Sequence, residues 1–407
     1  MVNRYIGRQP IVNERGGLYA YDLSYPVASG DDQYATSSLI NNLQNVFGTD
    51  RVLGKRIGFI RIDHRFIFDE LIDLLPKERI VFMFLETARV DSALIDRVLN
   101  LHEEGYRFGI NDCLFSQTTL ERFAPLLPYI EFLKIDMIRS GRIKREDVAK
   151  LHELRIIPIA SKIESHDMHA ECRNRGFDYF QGFFISKPRT VEKVSFSVEQ
   201  EGIMRLWNLL RSDASIDELV REFEISHLVS LKLLRFVNSA AFSLRSPVSS
   251  IRHVLTLLGR EPLMRWLMLM LFSEAQHSQD NRLPLLLMVV NRTELMVSLL
   301  ALIAPKATKE ENATAYFIGM LSLIHLIFSM PHREILRKLN VESHIERALF
   351  EGDGYFGELL TAVRAIEMLD IEGIELFLKK HMLQYDILEP VIAKAMEKVN
   401  QFDQEME

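Results

Sequence analysis

Acidic, basic and amide side chains stand at the ends of predicted strands in the first half of the chain. They are Asp22, Asp112, Lys134, Asp136, Glu164 and Gln181. If the strands are parallel neighbours, their carboxyl ends meet at one edge, and these side chains converge on one face. Carboxylate oxygens suit a divalent metal, and a lysine beside them suits a phosphate group. The pattern is consistent with metal-assisted phosphate chemistry, although polar strand ends also occur without function.

The elements that carry these residues alternate strand-like runs with helical periods. The chain opens with a predicted hairpin, Ile6–Val12 and Leu18–Tyr25, around a Gly-Gly turn. Further strand-like runs lie at Arg56–Asp63, Arg79–Leu85, Arg107–Asn111, Tyr129–Ile135, Arg155–Ala160 and Tyr179–Phe180. Apolar runs of this length separated by helices predict βα units, a mostly parallel sheet and a TIM-like barrel.

After Pro188 the strand signal stops, and nearly every segment has a helical period. Ser215 with Glu218 three residues later forms a predicted capping box at one helix start. We therefore expect an α/β barrel domain over residues 1–195 and an all-α domain over residues 196–400.

Composition and charge describe an ordinary globular protein. Hydrophobic residues make up 48% of the 407 residues, and the net charge is −7, which gives no general basic excess for nucleic acid. The two cysteines are outside any CxxC pair, so the usual structural zinc spacing is absent. The first ten residues lack the apolar region of a signal peptide, and we expect a cytoplasmic protein.

Two further segments give expectations about packing. The most apolar stretch, Leu283–Pro305, contains Asn291, Arg292 and Glu294 near its middle, which favours one or two buried helices over a membrane span. The final residues, QFDQEME, are expected to fray.

Two motifs with possible chemistry have simpler interpretations. The GxGxxG pattern at Gly352–Gly357 follows a helical segment rather than a strand, so we expect a loop between helices. The His166-Asp167 pair lies at a predicted helix start, where an aspartate stabilises the helix dipole. None of the histidines after residue 190 is followed by aspartate.

The first 190 residues resemble the EAL domain, a barrel family that hydrolyses cyclic di-GMP. The resemblance is carried by RQPI at Arg8–Ile11, YDLSY at Tyr21–Tyr25, FLKID at Phe132–Asp136 and GFDYFQGFFISKP at Gly176–Pro188. It implies a barrel in which two divalent metals activate a water.

The second half resembles the HDOD domain, an all-helical relative of HD phosphohydrolases that lacks their metal-binding His-Asp pair. The resemblance is carried by LKLLRFVNSAA at Leu231–Ala241, IRHVLTLLG at Ile251–Gly259 and GMLS at Gly319–Ser322. It identifies Asn238 and Ser239 as motif residues, although both could instead cap or turn the chain. The whole chain therefore resembles an EAL–HDOD bacterial signalling protein.

The EAL resemblance breaks at several positions of the family's site. Where the family has its signature glutamate, this chain has the shorter Asp22. Where the family has the arginine that ends the signature, this chain has Pro26. Arg61 takes the place of the family's metal-binding asparagine, and Met83 takes the place of a metal-binding glutamate. Asn111 takes the place of the first aspartate in the family's Asp-Asp pair, and Ser161 takes the place of the glutamate often assigned as base. The family residues that remain are Glu86, Asp112, Lys134, Glu164 and Gln181.

These departures weaken a metal site. Mg²⁺ and Mn²⁺ prefer hard oxygen ligands, which a thioether at Met83 and a guanidinium at Arg61 do not supply. Without a metal the water is not acidified, and no evident base replaces Ser161. Met83 and Phe84 are then best explained as filling the barrel interior. We expect a degenerate site with no catalytic residue, no cofactor and no bound metal.

The leading hypothesis is a non-catalytic signalling regulator that acts through a protein partner of unknown identity. One alternative is a cyclic di-GMP phosphodiesterase that uses Mg²⁺ or Mn²⁺ through Asp22, Glu86, Asp112, Lys134 and Glu164. Another is a metal-independent nucleotide sensor that binds through Gln9, Arg61, Lys134 and Gln181. Each of the three hypotheses is compatible with a homodimer. Weak binding of cyclic di-GMP is an open alternative, and no nucleic-acid partner is expected.

Overall fold

In the computed structural model, eight strands close into a barrel. The structure describes residues 6–25, 32–141, 143–186, 198–238, 248, 250–274, 282–328, 331–339 and 341–406. The strands are β1 (Gly7–Asn13), β2 (Leu18–Ser24), β3 (Ile57–Ile62), β4 (Ile80–Leu85), β5 (Arg107–Cys113), β6 (Ile130–Asp136), β7 (Ile157–Ser161) and β8 (Tyr179–Phe180). These bounds confirm the predicted hairpin and each later strand-like run.

Strand β1 runs against the direction of the rest of the barrel. It pairs antiparallel with β2 on one side and with β8 on the other, whereas β2 to β8 pair in parallel. The carboxyl ends of β2 to β8 therefore lie at one end of the barrel, which we call the barrel mouth. Gln9 of β1 reaches this end because it lies opposite Asp22 of β2.

Apolar side chains fill the barrel below the mouth. The interior cluster consists of Ile11, Ala20, Phe59, Val81, Met83, Phe132 and Ile159, each fully buried. Gly109 makes room for Met83, because a Cβ at Gly109 would lie 2.4 Å from the Met83 sulfur. The prediction that Met83 fills the barrel is thus confirmed. Its neighbour Phe84 is outside this cluster and stacks on Phe108.

Helices surround the strands in the first half of the chain. They are α1 (Asp32–Asn42), α2 (Thr49–Leu53), α3 (Ser92–Glu103), α4 (Gln117–Phe123), α5 (Arg145–Glu153) and α6 (His166–Arg175). The side chain of Ser165 caps α6, and Asp167 lies in its first turn. The helix-start interpretation of His166-Asp167 is therefore confirmed.

The described residues after 197 contain helices and no strands. The helices are α7 (Val198–Arg211), α8 (Ile216–Ile225), α9 (His227–Val237), α10 (Ile251–Leu258), α11 (Arg260–Glu274), α12 (Arg282–Ile303), α13 (Lys309–Leu321), α14 (His325–Phe328), α15 (His332–Lys338), α16 (Ser343–Phe350), α17 (Gly354–Met368), α18 (Ile371–Lys380) and α19 (Leu388–Met406). Ser215 and Glu218 form the predicted capping box of α8. Gly352 and Asp353 connect α16 to α17, whereas the rest of the GxGxxG pattern, from Gly354 to Gly357, forms the first turn of α17, so the expected loop covers only the start of the pattern.

Contacts divide the chain into two compact units. Unit 1 contains Met1–Lys187, Asp280–Lys306 and Thr361–Glu407, and unit 2 contains Pro188–Gln279 and Ala307–Leu360. Helices α12 and α19 therefore belong to the same unit as the barrel, although they lie inside the predicted helical domain. The limits 1–195 and 196–400 stay predictions about domains, since a compact unit need not be a folding domain.

Helix α12 contains the most apolar segment of the described residues. Leu283–Ile303 is long and apolar enough to cross a bilayer, with a mean hydropathy of 1.8, and 56% of that stretch is buried within the protein. Its polar side chains have partners in unit 1, because Arg292 pairs with Glu367 and Glu294 pairs with Lys394. The segment forms one helix, one of the two outcomes expected from the sequence.

The C-terminal segment is helical rather than frayed, which corrects the expectation for QFDQEME. Nε and Nη2 of Arg56, just before β3, donate to the two oxygens of the Asp403 carboxylate, each at 2.8 Å. Asn400 also accepts a hydrogen bond from Arg8 at 2.9 Å and donates to the Arg51 carbonyl oxygen at 2.6 Å. Local helix propensity does not predict these contacts, because the partner residues are more than 340 positions apart in the sequence.

We predict that Asp403→Ala lowers the stability of the barrel unit. The Arg56 side chain is only 18% exposed, and removal of its carboxylate leaves a charge in a poorly solvated place. The expected cost is about 2–3 kcal/mol, measured as a shift of the urea midpoint. Glu397→Ala on the same helix is the matched control, because its ion pair with Arg51 is exposed and should contribute less than about 1 kcal/mol. Equal shifts for the two variants would contradict the prediction.

Candidate functional site

The ammonium of Lys134 lies at the centre of the barrel mouth. Its Nζ donates to Asp22 Oδ2 and, at 3.2 Å, to Asn111 Oδ1, and it lies 3.5 Å from Asp112 Oδ1. Lys134 is 2% exposed and Asp22 is 8% exposed, so this contact is almost fully removed from water. Strands β2, β5 and β6 thus bring together Asp22, Asp112 and Lys134, three of the residues that were predicted to converge, and add Asn111 to them.

The electrostatic environment keeps Asp22 ionised. Burial alone would raise the pKa of this carboxyl group, but the positive charges of Lys134 and Arg61 and the hydrogen bonds from Lys134 and Gln181 lower it below its ordinary value. The pair is therefore a carboxylate with an ammonium rather than two neutral groups. A metal or ligand that binds Asp22 must therefore compete with Lys134 for the carboxylate.

Two glutamines complete the polar floor of the mouth. Gln181 Nε2, just after β8, donates to Gln9 Oε1 and to Asp22 Oδ2, both at 3.0 Å. The second carboxylate oxygen of Asp22 and the amide oxygen of Gln181 are buried and accept no hydrogen bond from any described residue. Asp112 Oδ1, 3.5 Å from Lys134 Nζ, is likewise buried without a hydrogen bond among the described residues. A donor from outside the chain would find these three acceptors unused.

The other carboxylates of the mouth are also paired with cations of the same chain. Glu86 accepts from Arg139 at 2.9 Å, and Asp136 accepts from Lys162 at 2.7 Å. Burial opposes ionisation of Asp136, but the hydrogen bonds from Lys162 and from two backbone N–H groups lower its pKa. Sequence analysis missed Arg139 and Lys162. The signal that could have found them is their position directly after β6 and β7, beside the acidic strand ends.

The remaining predicted residues do not join this buried cluster. Arg61 and Glu164 are exposed, and Arg61 acts on Asp22 through its charge alone. The Ser161 hydroxyl donates to the Ile135 carbonyl oxygen at 2.9 Å, which is a structural contact. Pro26 lies outside the described residues.

Backbone strain accompanies two mouth residues. Asp112 has φ of 43° and Lys162 has φ of 57°, a left-handed conformation that is uncommon for side-chain-bearing residues. Such conformations persist only where the surrounding structure imposes them, and they cluster at functional sites. Here they direct a carboxylate and an ammonium at the ends of β5 and β7.

The donor set of the mouth does not fit a divalent cation as it stands. Asp22, Glu86 and Asp136 would each have to exchange a lysine or arginine for the metal, and Met83 is a buried thioether. Within the residues that the structure describes, no group of three or more His, Cys, Asp or Glu side chains is placed to hold a metal. The carboxylates converge at the mouth, but the charges of Asp22, Glu86 and Asp136 are neutralised by Lys134, Arg139 and Lys162.

In the helical half, the side chain of Asn238 bonds to the backbone of Val248. Its side-chain amide donates to the Val248 carbonyl oxygen and accepts from the Val248 N–H, both at 2.7 Å. This pairing resembles one rung of a β-ladder and holds Asn238 against Val248. Asn238 is the residue that caps the C-terminus of α9, which agrees with the capping interpretation, and Ser239 lies outside the described residues.

We predict that Lys134→Met destabilises the barrel unit in a pH-dependent way. In the wild type the lowered pKa of Asp22 contributes stability above the unfolded pKa, and this contribution is lost only as the pH falls through the folded value. In the variant only the charge of Arg61 and the hydrogen bond from Gln181 still oppose the effect of burial, so the pKa of Asp22 should rise and its charge should oppose folding at pH 7. The expected cost is about 3–5 kcal/mol at pH 7.

The measurement is urea unfolding between pH 7 and pH 4. The difference in the free energy of unfolding between wild type and Lys134→Met should decrease as the pH falls, because Asp22 becomes protonated in the variant. Lys150→Met on the exposed face of α5 is the control and should show no such gap. A constant gap across this range would show that lost packing, not charge, causes the destabilisation.

Comparison with known proteins supports both halves of the architecture. The HDOD domain family matches residues 201–346. The cyclic di-GMP phosphodiesterase CdgJ of Vibrio cholerae is 27% identical over 389 residues, covering 92% of this chain and 87% of that protein. The uncharacterized protein YuxH of Bacillus subtilis is 26% identical over 376 residues, covering 89% of this chain and 90% of that protein.

Solved EAL domains resemble the N-terminal region. The FimX EAL domain of Pseudomonas aeruginosa, bound to c-di-GMP, gives a TM-score of 0.34 at 17% identity, with 47% of this chain and 94% of that chain covered. An EAL domain protein of Listeria monocytogenes gives 0.37 at 17% identity, with 45% and 87% covered. The chain therefore contains an HDOD domain at residues 201–346, and in the sequence this domain follows a closed eight-stranded barrel.

Proposed function

We propose that this protein is a non-catalytic signalling regulator that works through protein–protein interaction in a cyclic di-GMP-linked pathway. The observation that carries the proposal is the internal neutralisation of the barrel mouth, where Lys134, Arg139 and Lys162 are bonded to the buried and half-buried carboxylates. The similarity to CdgJ, a phosphodiesterase by name, supports the link to cyclic di-GMP.

The internal cations explain why hydrolysis is not expected. Activation of water by a metal requires oxygen ligands that bind the metal rather than a lysine or arginine. A general base must also reach the water, and the Ser161 hydroxyl is bonded to the backbone instead. A barrel with this mouth is better suited to present a rigid surface than to cleave a phosphodiester.

The proposed working surface is the HDOD domain together with the barrel mouth. Its partner is a protein, and we place both in the bacterial cytoplasm. The polar residues of α12 are paired within unit 1, which is consistent with a helix that packs inside a water-soluble protein. A homodimer is compatible with this role.

A second candidate, a metal-independent nucleotide sensor, is favoured by one observation. Asp22 Oδ1 and Gln181 Oε1 are buried acceptors without a hydrogen-bond donor among the described residues, and the exposed Arg61 stands close enough to affect Asp22. Such a mouth could accept N–H groups of a base while Arg61 attracts a phosphate. The third candidate, a phosphodiesterase using Mg²⁺ or Mn²⁺, rests on the name of CdgJ.

We predict that the folded chain releases no linear product from cyclic di-GMP with millimolar Mg²⁺ or Mn²⁺. Calorimetric titration of the nucleotide, followed by chromatography of the same sample, measures binding and cleavage together. Neither binding nor cleavage is the result expected for a regulator that acts through a protein partner. Metal-dependent cleavage that is lost in Asp112→Ala would overturn the proposal in favour of the enzyme.

Binding without cleavage would instead favour the sensor. It should persist in the presence of a chelator and weaken in Arg61→Ala. Arg65→Ala is the matched control, because Arg65 is a nearby exposed arginine whose charge is paired with Asp63. If both arginine variants weaken binding equally, the attraction is a general surface charge and not a site at the mouth.

A further inference from the structure

An open cleft of about 540 Å³ lies in unit 2, apart from the barrel mouth. It is formed by one face of α7, by α8 and by the start of α16. Its lining includes Arg205, Asn208, Leu209, Arg211, Glu222 and Glu342. The volume is in the range of clefts that hold small molecules. The lining holds two guanidinium groups and two carboxylates, each paired with the other kind, so an anion could bind only by replacing one of the carboxylates.

Arg211 is held in place by aromatic rings. Its guanidinium carbon lies 5.7 Å from the centre of the Trp207 ring and 5.6 Å from that of Phe317. The two rings pack edge to face with their centroids 4.6 Å apart. The Arg211 side chain is 21% exposed. Aromatic packing of this kind restricts the planar guanidinium, so it is ordered before a ligand arrives.

The carboxylate that meets Arg211 in the cleft is easily replaced. Glu342 bonds to Arg211 through Oε1, yet its side chain is 58% exposed and comes from the residue that precedes α16. Its other oxygen lies 3.2 Å from Nδ1 of the equally exposed His344. Exposed ion pairs contribute little to stability, so an external oxyanion can compete with Glu342.

Arg205 supplies the second positive charge of the cleft. Its Nε donates to Glu222 Oε1 at 2.7 Å, and its side chain is 47% exposed. The Glu222 side chain is only 14% exposed, so this pair is the fixed part of the cleft. The Arg211–Glu342 pair is the exchangeable part, and Leu209 adds an apolar wall.

We propose that this cleft binds a small dianionic molecule, a phosphate monoester or a dicarboxylate, whose oxyanion replaces Glu342 on Arg211. Both groups present paired oxygens that match the two-pronged edge of a guanidinium. Glu342 then acts as an internal occupant that holds the site in the absence of the ligand. This role goes beyond the proposed regulation by the barrel mouth, and it assigns the helical unit a ligand of its own.

Trp207 provides the readout, because it lies beneath Arg211. The chain has two tryptophans, so Trp266→Phe leaves Trp207 as the only source of tryptophan fluorescence. Inorganic phosphate, phenyl phosphate and succinate are titrated separately into this full-length chain at constant ionic strength. We expect a saturable change with at least one probe, and the comparison of phosphates with succinate identifies the class of anion.

Three variants connect the signal to the proposed contact. Glu342→Gln removes the internal competitor and should tighten binding about threefold, the scale of an exposed ion pair. Asp353→Asn is the matched control, because it removes another exposed carboxylate, bonded to Arg347 at 3.2 Å, and should leave affinity unchanged. Arg211→Lys keeps the charge but loses the planar two-pronged donor, and it should weaken binding about tenfold or more.

The proposal is overturned if no probe changes Trp207 fluorescence up to about 10 mM, a concentration that would detect even millimolar affinity. It is also overturned if Arg211→Lys binds as tightly as its parent, or if Glu342→Gln and Asp353→Asn shift affinity equally. Because Arg211→Lys preserves both charge and aliphatic length, a folding defect is not expected, and circular dichroism checks this directly.

Discussion

The structure of the barrel mouth depends on one buried positive charge. An isolated ammonium cannot be taken from water without several kcal/mol of cost, so the oxygens around Lys134 must be arranged to receive it. Asp22, Asn111 and Asp112 come from two strands besides β6, and their positions are set by the same need. The residues that could have gathered a metal are instead organised around a side chain of the protein itself.

This constraint extends outwards along the strand ends. Once Lys134 satisfies Asp22, the carboxylates of Glu86 and Asp136 need other partners, and Arg139 and Lys162 provide them. The mouth is therefore close to electrically neutral without any bound ion. Such a surface can remain ordered while it faces another protein, whereas an unpaired acidic cluster would favour the binding of cations.

The strands and the convergence of the mouth residues could be predicted from the sequence because both follow from local patterns. Short apolar runs between helices specify parallel strands, and the residue after each run must lie at the carboxyl edge. The positions of Arg139 and Lys162 after β6 and β7 carry this local signal, but their pairing with Glu86 and Asp136 could not be predicted in this way, nor could the pairing of Asn400 with Arg8. Each depends on which distant elements meet, and a single sequence contains no periodic signal for that.

The contact between Arg56 and Asp403 also has a consequence for the order of assembly during synthesis. Its partners are separated by 347 residues, and at about 5–20 residues per second a ribosome needs roughly 20–70 s to add them. During that interval the emerging barrel lacks α19, so Arg56 has no contact with Asp403 and Arg8 has none with Asn400. The nascent barrel therefore waits in an incomplete state, and this is when a chaperone has the most to protect.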